Sequence, residues 1–261
     1  MIMKRTVIIT GATSGIGRSA AFRYAEKGYQ LILCGRRAQR LQEVEEELQR
    51  TFQAAVQTLC FDIRDPEACA QAVSSIDRNR FPEMNILVNN AGLAAGFGPV
   101  DQGNYDDWNR MIDTNVKGLL HMSREIIPFM REQKSGHIIN IGSTAGKDVY
   151  LNGNVYCATK FGVEALNQAM RIDLLPYGIK VTAINPGMAE TEFSLVRFKG
   201  DEDRAKNVYA GINPLRAEDI ADIAWYCATL PPHVCINDLT VTCLTQATSV
   251  YAIKEAERVK P

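Results

Sequence analysis

The sequence predicts a single α/β domain: a seven-stranded, doubly wound parallel sheet with helices on both faces. Three observations carry this. Short apolar runs rich in β-branched residues recur along the chain, and most are hydrophobic throughout rather than alternating, as parallel strands buried on both faces require. Amphipathic stretches separate them, and repeated strand-helix alternation imposes right-handed crossovers. No Pro/Gly/Ser-rich linker or low-complexity tract divides the 261 residues, a length for which one α/β unit with one core suffices.

The first strand, residues 7–10, runs into a glycine-rich turn and the helix 15–27. The second, 31–34, precedes the helix 38–51, whose acidic run at 43–47 reads as a solvated face. The third, 56–61, is followed by the helix 66–80, and the fourth, 86–88, by the long helical pattern 105–133 with Trp108 as a packing anchor. The fifth, 138–141, leads to the helix 154–176, and the sixth, 181–184, to an irregular stretch and then the helix 217–230, with Trp225 as a second anchor. The seventh strand is 239–244. Sheets of this kind bind ligands beyond the carboxyl ends of their strands, so chemistry belongs just after each one. The stretch 187–214 departs from the alternation and is a candidate substrate lid within the domain.

With 29 basic against 30 acidic side chains and 46% hydrophobic residues, the composition is that of an ordinary soluble globular protein. It lacks the clustered Lys/Arg excess that would bind nucleic acid or an anionic membrane surface. Seven cysteines, at 34, 60, 69, 157, 227, 235 and 243, are scattered, with no C-x-x-C pair and no histidine at metal-ligand spacing. They read as small, mostly buried hydrophobes in a reducing compartment, with no metal. Residues 1–5 and the short apolar run after them are too brief for a signal peptide, and nothing approaches the ~20 apolar residues of a membrane span. A cytoplasmic protein without membrane or nucleic-acid partners is expected. His121, His137 and His233 lie apart and read as structural.

After the first strand comes Thr10-Gly11-Ala12-Thr13-Ser14-Gly15-Ile16-Gly17, opening a helix. Glycines permit a tight turn and close backbone approach to phosphate oxygens, while the helix N-terminus supplies free N–H groups and a positive dipole. Gly11, Thr13, Ser14, Gly15, Ile16 and Gly17 therefore form the expected pyrophosphate cradle. An NAD-preferring fold usually ends its second strand with an acid that binds the ribose 2′-hydroxyl. Here that place reads Gly35-Arg36-Arg37, so a 2′-phosphate held by a guanidinium fork, and hence NADP(H), is favoured. Asp62-Ile63, past the third strand, either meets the adenine or places Asp62 as the helix cap before Pro66.

Tyr156 and Lys160 stand at i and i+4 on one helix face. A phenol that titrates near pH ~10 needs adjacent positive charge to act as a base at neutrality. Ser143, after the fifth strand, presents a hydroxyl at the sheet edge.

Thr10-Gly11 through Gly17, Asn89-Asn90-Ala91-Gly92, Asn115, Ser143, the Tyr156/Lys160 pair and Asn185-Pro186-Gly187 together resemble the short-chain dehydrogenase/reductase family over nearly the whole chain. The resemblance implies a Rossmann fold with seven parallel strands, a nicotinamide cofactor and a homotetramer built on two long helices. It implies that Tyr156 is the acid/base and that Ser143 orients the reacting oxygen. Lys160 would hold the nicotinamide ribose and lower the Tyr156 pKa, and Asn115 would steady a proton-relay water. Asn89, Ala91 and Gly92 are expected along the ribose and nicotinamide, and Pro186, Gly187, Met188 and Thr191 near the carboxamide. One departure is Ser14, where many NADP-binding members carry a basic residue; coenzyme preference then rests on Arg36 and Arg37.

Within the 191–201 segment, Arg197 and Lys199 stand among aromatics, where they either clamp a small carboxylate or serve as solvated charge or a subunit contact. This segment, with 111–115, 137–146 and 229–231, looks like the branch of NADP-dependent 3-hydroxy acid dehydrogenases that act on L-allo-threonine, serine and related acids. The expectation is interconversion of short 3-hydroxy acids, including 3-hydroxypropionate, with their 3-oxo forms. A broad carbonyl or keto-sugar reductase and a non-catalytic NADP-sensing module remain open alternatives.

Overall fold

The computed structural model describes residues 5–259, so residues 1–4 of the N-terminal segment weighed above lie outside the described residues. The chain runs β1 (Thr6–Thr10), α1 (Gly15–Glu26), β2 (Gln30–Gly35), α2 (Ala38–Phe52), β3 (Val56–Cys60), α3 (Pro66–Ser74), β4 (Ile86–Asn89), α4 (Tyr105–Ile112), α5 (Gly118–Gln133), β5 (Gly136–Ile141) and α6 (Asn154–Leu174). It continues β6 (Ile179–Pro186), β7 (Ala189–Glu190), α7 (Glu192–Arg197), α8 (Glu202–Asn207), β8 (Leu215–Arg216), α9 (Ala217–Thr229) and β9 (Asp238–Val241). Seven strands form one sheet in the order β3-β2-β1-β4-β5-β6-β9, every pair parallel. The chain reverses direction across the sheet between β1 and β4, which opens a crevice at their carboxyl ends.

The uninterrupted apolar strands divide their side chains between two cores. Val7, Ile9, Leu31 and Leu33 pack with Ala20 and Tyr24 of α1, Leu41 and Leu48 of α2, and Ala221 and Ala224 of α9. Ile8, Ile32 and Leu87 point the other way, into Met122 and Ile126 of α5 and Val163 of α6. This is the period-two alternation of a strand with a hydrophobic partner on each face.

Several boundaries differ from expectation. The pattern 105–133 is not one helix: α4 and α5 are joined by a π-helical turn, Asp113–Lys117, which widens the helix by a residue and buries the polar Thr114 and Asn115. The helix expected over 66–80 ends at Ser74, and its cap is Asp65, whose carboxylate accepts the N–H groups of Glu67 and Ala68. Asp62 is therefore not the cap. The stretch 187–214 contains α7 and α8, and its β7 pairs in parallel with β8. All seven cysteines are free thiols, and no helix among the described residues is long and apolar enough to cross a membrane. No metal-ligating cluster occurs among the described residues. His121 Nδ1 lies 3.0 Å from the Ile63 carbonyl, and His137 Nε2 lies 2.7 Å from Thr182 Oγ1, both structural contacts.

Candidate active site

A cleft of about 710 Å³ opens at the carboxyl ends of β1, β4, β5 and β6, within the size range of small-molecule and cofactor sites. One end is the β1–α1 loop. Gly11 has φ +66° and Gly15 φ +50°, left-handed conformations that a side chain would strain, and a Cβ on Gly11 would press on the Ala91 backbone. Ser14 precedes α1 but makes no side-chain cap, so the first-turn N–H groups remain available to an anion. Arg37 crosses this loop, with Nε 3.0 Å and Nη2 2.5 Å from Thr13 Oγ1 and Nη2 2.9 Å from Ser14 Oγ. Arg36 lies 3.4 Å from Asp62, which also pairs with Arg64 at 2.6 Å. Burial would raise the Asp62 pKa, but hydrogen bonds from Arg64 and the charge of Arg36 hold it down to about 2. Uncapped N–H groups, glycines at close approach and two adjacent guanidinium groups fit a phosphorylated dinucleotide.

The other end is built on α6. Tyr156 and Lys160, one turn apart, are both nearly buried and both line the cleft. Lys160 Nζ donates to the Ile141 carbonyl at 2.8 Å, which pins α6 to the end of β5. The Ser143 N–H donates to Asn185 Oδ1 at 3.1 Å, so β6 holds the turn that presents the Ser143 hydroxyl. Burial pushes the Tyr156 phenol above its ordinary value, while the Ser143 hydroxyl and the Arg197 guanidinium pull it down. Burial pushes Lys160 down to about 8. In this structure burial, Ser143 and Arg197 are the main influences on the Tyr156 phenol, and Lys160 stands one turn along the same helix.

Most expected residues line this cleft: Gly11, Thr13, Ser14, Gly15, Ile16, Arg36, Arg37, Asp62, Ile63, Ala91, Gly92, Ser143, Tyr156, Lys160, Pro186, Gly187, Met188, Thr191 and Arg197. Four do not. Asn89 faces the core, its amide donating to Ser123 Oγ at 3.0 Å and Asn140 Oδ1 at 2.9 Å, because successive strand residues point to opposite faces. Gly17 serves packing: a Cβ there would strike the Gly11 carbonyl and the Asn90 amide. Asn115, in the π turn, stands behind the cleft wall, bonding both the N–H and the carbonyl of Leu93 at 2.8 Å and Thr159 Oγ1 at 3.0 Å. Lys199 turns away and pairs with Asp107 at 2.8 Å.

Sequence reasoning assigned no site role to Asn90, Tyr150, Glu192 and Phe193, all on the cleft. Asn90 stitches the switch point: its N–H donates to Thr10 Oγ1 at 3.0 Å and its amide to the Thr10 carbonyl at 2.9 Å. Arg197 lies among rings, its guanidinium carbon 5.0 Å from the Tyr156 centroid and 5.3 Å from that of Phe193. It donates to the Tyr150 hydroxyl, and its Nε is buried with no hydrogen-bond partner.

The family model for short chain dehydrogenases matches residues 5–201. A sulfoacetaldehyde reductase of Chromohalobacter salexigens is 43% identical over 252 residues, 96% of this chain and 99% of that protein. An NADP-dependent 3-hydroxy acid dehydrogenase of Salmonella typhi is 44% identical over 242 residues, 92% of this chain and 96% of that protein. Among solved structures, the closed form of a serine dehydrogenase complexed with NADP+ superposes with a TM-score of 0.89 at 41% identity, covering 96% of this chain and 99% of that one. Sheet order, cleft and sequence agree, and the chain belongs to the short-chain dehydrogenase family.

Proposed function

We propose that the protein is an NADP(H)-dependent oxidoreductase that interconverts short 3-hydroxy acids, of the serine, L-allo-threonine and 3-hydroxypropionate type, with their 3-oxo forms. NADP(H), when bound, supplies or accepts the hydride. The β1–α1 loop and the N-terminus of α1 hold its pyrophosphate, Arg36 and Arg37 its 2′-phosphate, Ile63 its adenine, and Lys160 its ribose. Ser143 donates a hydrogen bond to the reacting oxygen, where charge develops. Tyr156 moves the proton. Its burial keeps the phenol protonated, the state that donates in reduction; in oxidation, positive charge beside it favours the phenolate that accepts. Asn115 is a positioning residue that fixes the Leu93 backbone on the cleft wall.

The observation that carries the substrate class is Arg197, a cation beside Tyr156 with an unpartnered buried Nε. The relatives' substrates suit it: a 3-oxo acid and sulfoacetaldehyde each separate the carbonyl from an anionic group by one carbon. On this reading the segment 187–214 is a lid that brings Arg197 over the substrate. Leu120 of α5, with Phe161 and Ile172 of α6, are exposed apolar side chains that would form the contacts of a homotetramer, and the seven free thiols suit the cytoplasm.

The test is a steady-state screen of small hydroxy acids with NADP+ and of the matching aldehydes with NADPH, against neutral ketones. Preference for anionic substrates supports the reading, and preference for neutral ones overturns it in favour of a general carbonyl reductase. Tyr156→Phe should lower turnover by about 100- to 10,000-fold while NADP+ still binds. An undiminished rate would remove Tyr156 from the chemistry.

A further inference from the structure

Resting on the reading of the cleft as an NADP(H) site, we propose that Glu192, on the lid, occupies the seat of the coenzyme's 2′-phosphate and surrenders Arg37 to that phosphate, so that the adenosine end of the coenzyme is communicated to the lid. Glu192 is the first residue of α7 and lines the cleft. Its carboxylate bridges two guanidinium groups, with Oε2 3.2 Å from Arg37 Nη1 and Oε1 2.8 Å from Arg40 Nη1. Arg37 is at the same time the residue that grips Thr13 and Ser14 of the pyrophosphate loop. A carboxylate from the lid therefore meets the coenzyme loop through one arginine.

The two arms are unequal, and that decides the exchange. A phosphate monoester brings nearly two negative charges and three acceptor oxygens, against one charge and two oxygens for a carboxylate. It outcompetes Glu192 for Arg37, the longer arm, while the shorter arm to Arg40 persists. Glu192 is then a like charge beside the phosphate, which makes it a specificity-determining residue acting through Arg37. NAD(H), lacking the phosphate, leaves both arms intact. The same short helix carries Phe193, whose ring meets that of Tyr156 edge-on at 5.4 Å, and Arg197, so a loosened Arg37 arm is felt where substrate binds.

Calorimetric titration of the full chain with adenosine 2′,5′-bisphosphate, and with 5′-AMP as control, tests this without turnover. Wild type should bind the bisphosphate more tightly than AMP. Glu192→Gln should tighten the bisphosphate by about two- to fivefold, the scale of an exposed ion pair, and leave AMP unchanged. In an Arg37→Gln background, where only the direct repulsion between carboxylate and phosphate is left, the same substitution should tighten the bisphosphate by clearly less than in wild type, and an equal gain would overturn the competition for Arg37. Amide hydrogen exchange across 192–197 should rise when the bisphosphate, but not AMP, is added to wild type, and should be unresponsive in Glu192→Gln. A Glu192→Gln variant that is neutral, binds the bisphosphate more weakly, or changes AMP equally overturns this proposal alone, as does a lid whose exchange ignores the bisphosphate. A wild type that binds the two nucleotides equally overturns the coenzyme reading, and this proposal with it.

Discussion

Replacing Arg197 with glutamine isolates the anion reading from the rest of the site. The guanidinium carbon lies 5.0–5.9 Å from the ring centroids of Phe97, Tyr150, Tyr156 and Phe193. One nitrogen is spent on the Tyr150 hydroxyl, while Nε is buried and unpartnered. A carboxylate or sulfonate that meets the guanidinium through its terminal nitrogens would take two donors, each worth ~1.5–3 kcal/mol to a charged partner. Water in the cleft and the one neutral bond that glutamine recovers reduce the net loss to about 2–4 kcal/mol, or roughly 30- to 700-fold in kcat/KM at ~1.4 kcal/mol per decade. A neutral aldehyde of the same length loses only the cation–aromatic packing, within about fivefold. Arg197→Lys, which keeps the charge but not the planar fork, should fall between. NADPH absorbance assays with a 3-oxo acid and with propanal, run on all three proteins, measure the split. Equal losses on charged and neutral substrates would show that Arg197 only supports the fold of the lid.

Three further outcomes follow from contacts the structure resolves. Asn89→Ala breaks the buried bonds to Ser123 and Asn140 and should cost about 1–3 kcal/mol of stability in urea melts, with the NADP+ dissociation constant unchanged; weakened coenzyme binding at intact stability would return Asn89 to the cleft. Burial, with Lys180 adding to it, pushes His137 down to about 3 from its ordinary 6.5. Its unfolded form therefore takes up a proton between those values while its folded form does not, so stability falls as pH drops through that window by up to about 1.4 kcal/mol per unit. His137→Gln should flatten the decline between pH 6.5 and 5, and an unaltered slope would contradict the buried neutral imidazole. Lys199→Ala, which removes the pair with Asp107, should affect charged and neutral substrates alike and by less than about fivefold; a loss confined to acids would place Lys199 in the substrate site after all.

Much of this protein was legible in one dimension because its determinants are local or periodic. A strand buried on both faces is apolar at most of its positions, so runs such as Leu31-Ile32-Leu33 declare themselves. A phosphate loop needs glycines at a helix start, and a phenol-ammonium pair on one face needs a spacing of four. What tertiary structure alone decided are questions of direction and partner. Asn89 and Asn90 are neighbours of the same residue type, yet the pleat sends one into the core and the other to the switch point. The π turn that carries Asn115 is invisible to hydrophobic periodicity, since the residues it buries, Thr114 and Asn115, are polar.

Lys199 and Arg197 lie two residues apart and looked equivalent, but the backbone sends Lys199 to Asp107 and leaves Arg197 among the rings. Glu192 meets Arg37 across more than 150 positions of sequence, a distance over which no spacing rule operates. Local chemistry is written into neighbouring residues, because each supplies its own backbone preference and period. The partner of a long polar side chain is chosen by whatever the closed fold sets beside it, and for Arg37, Lys199 and Asn115 only the folded chain could make that choice.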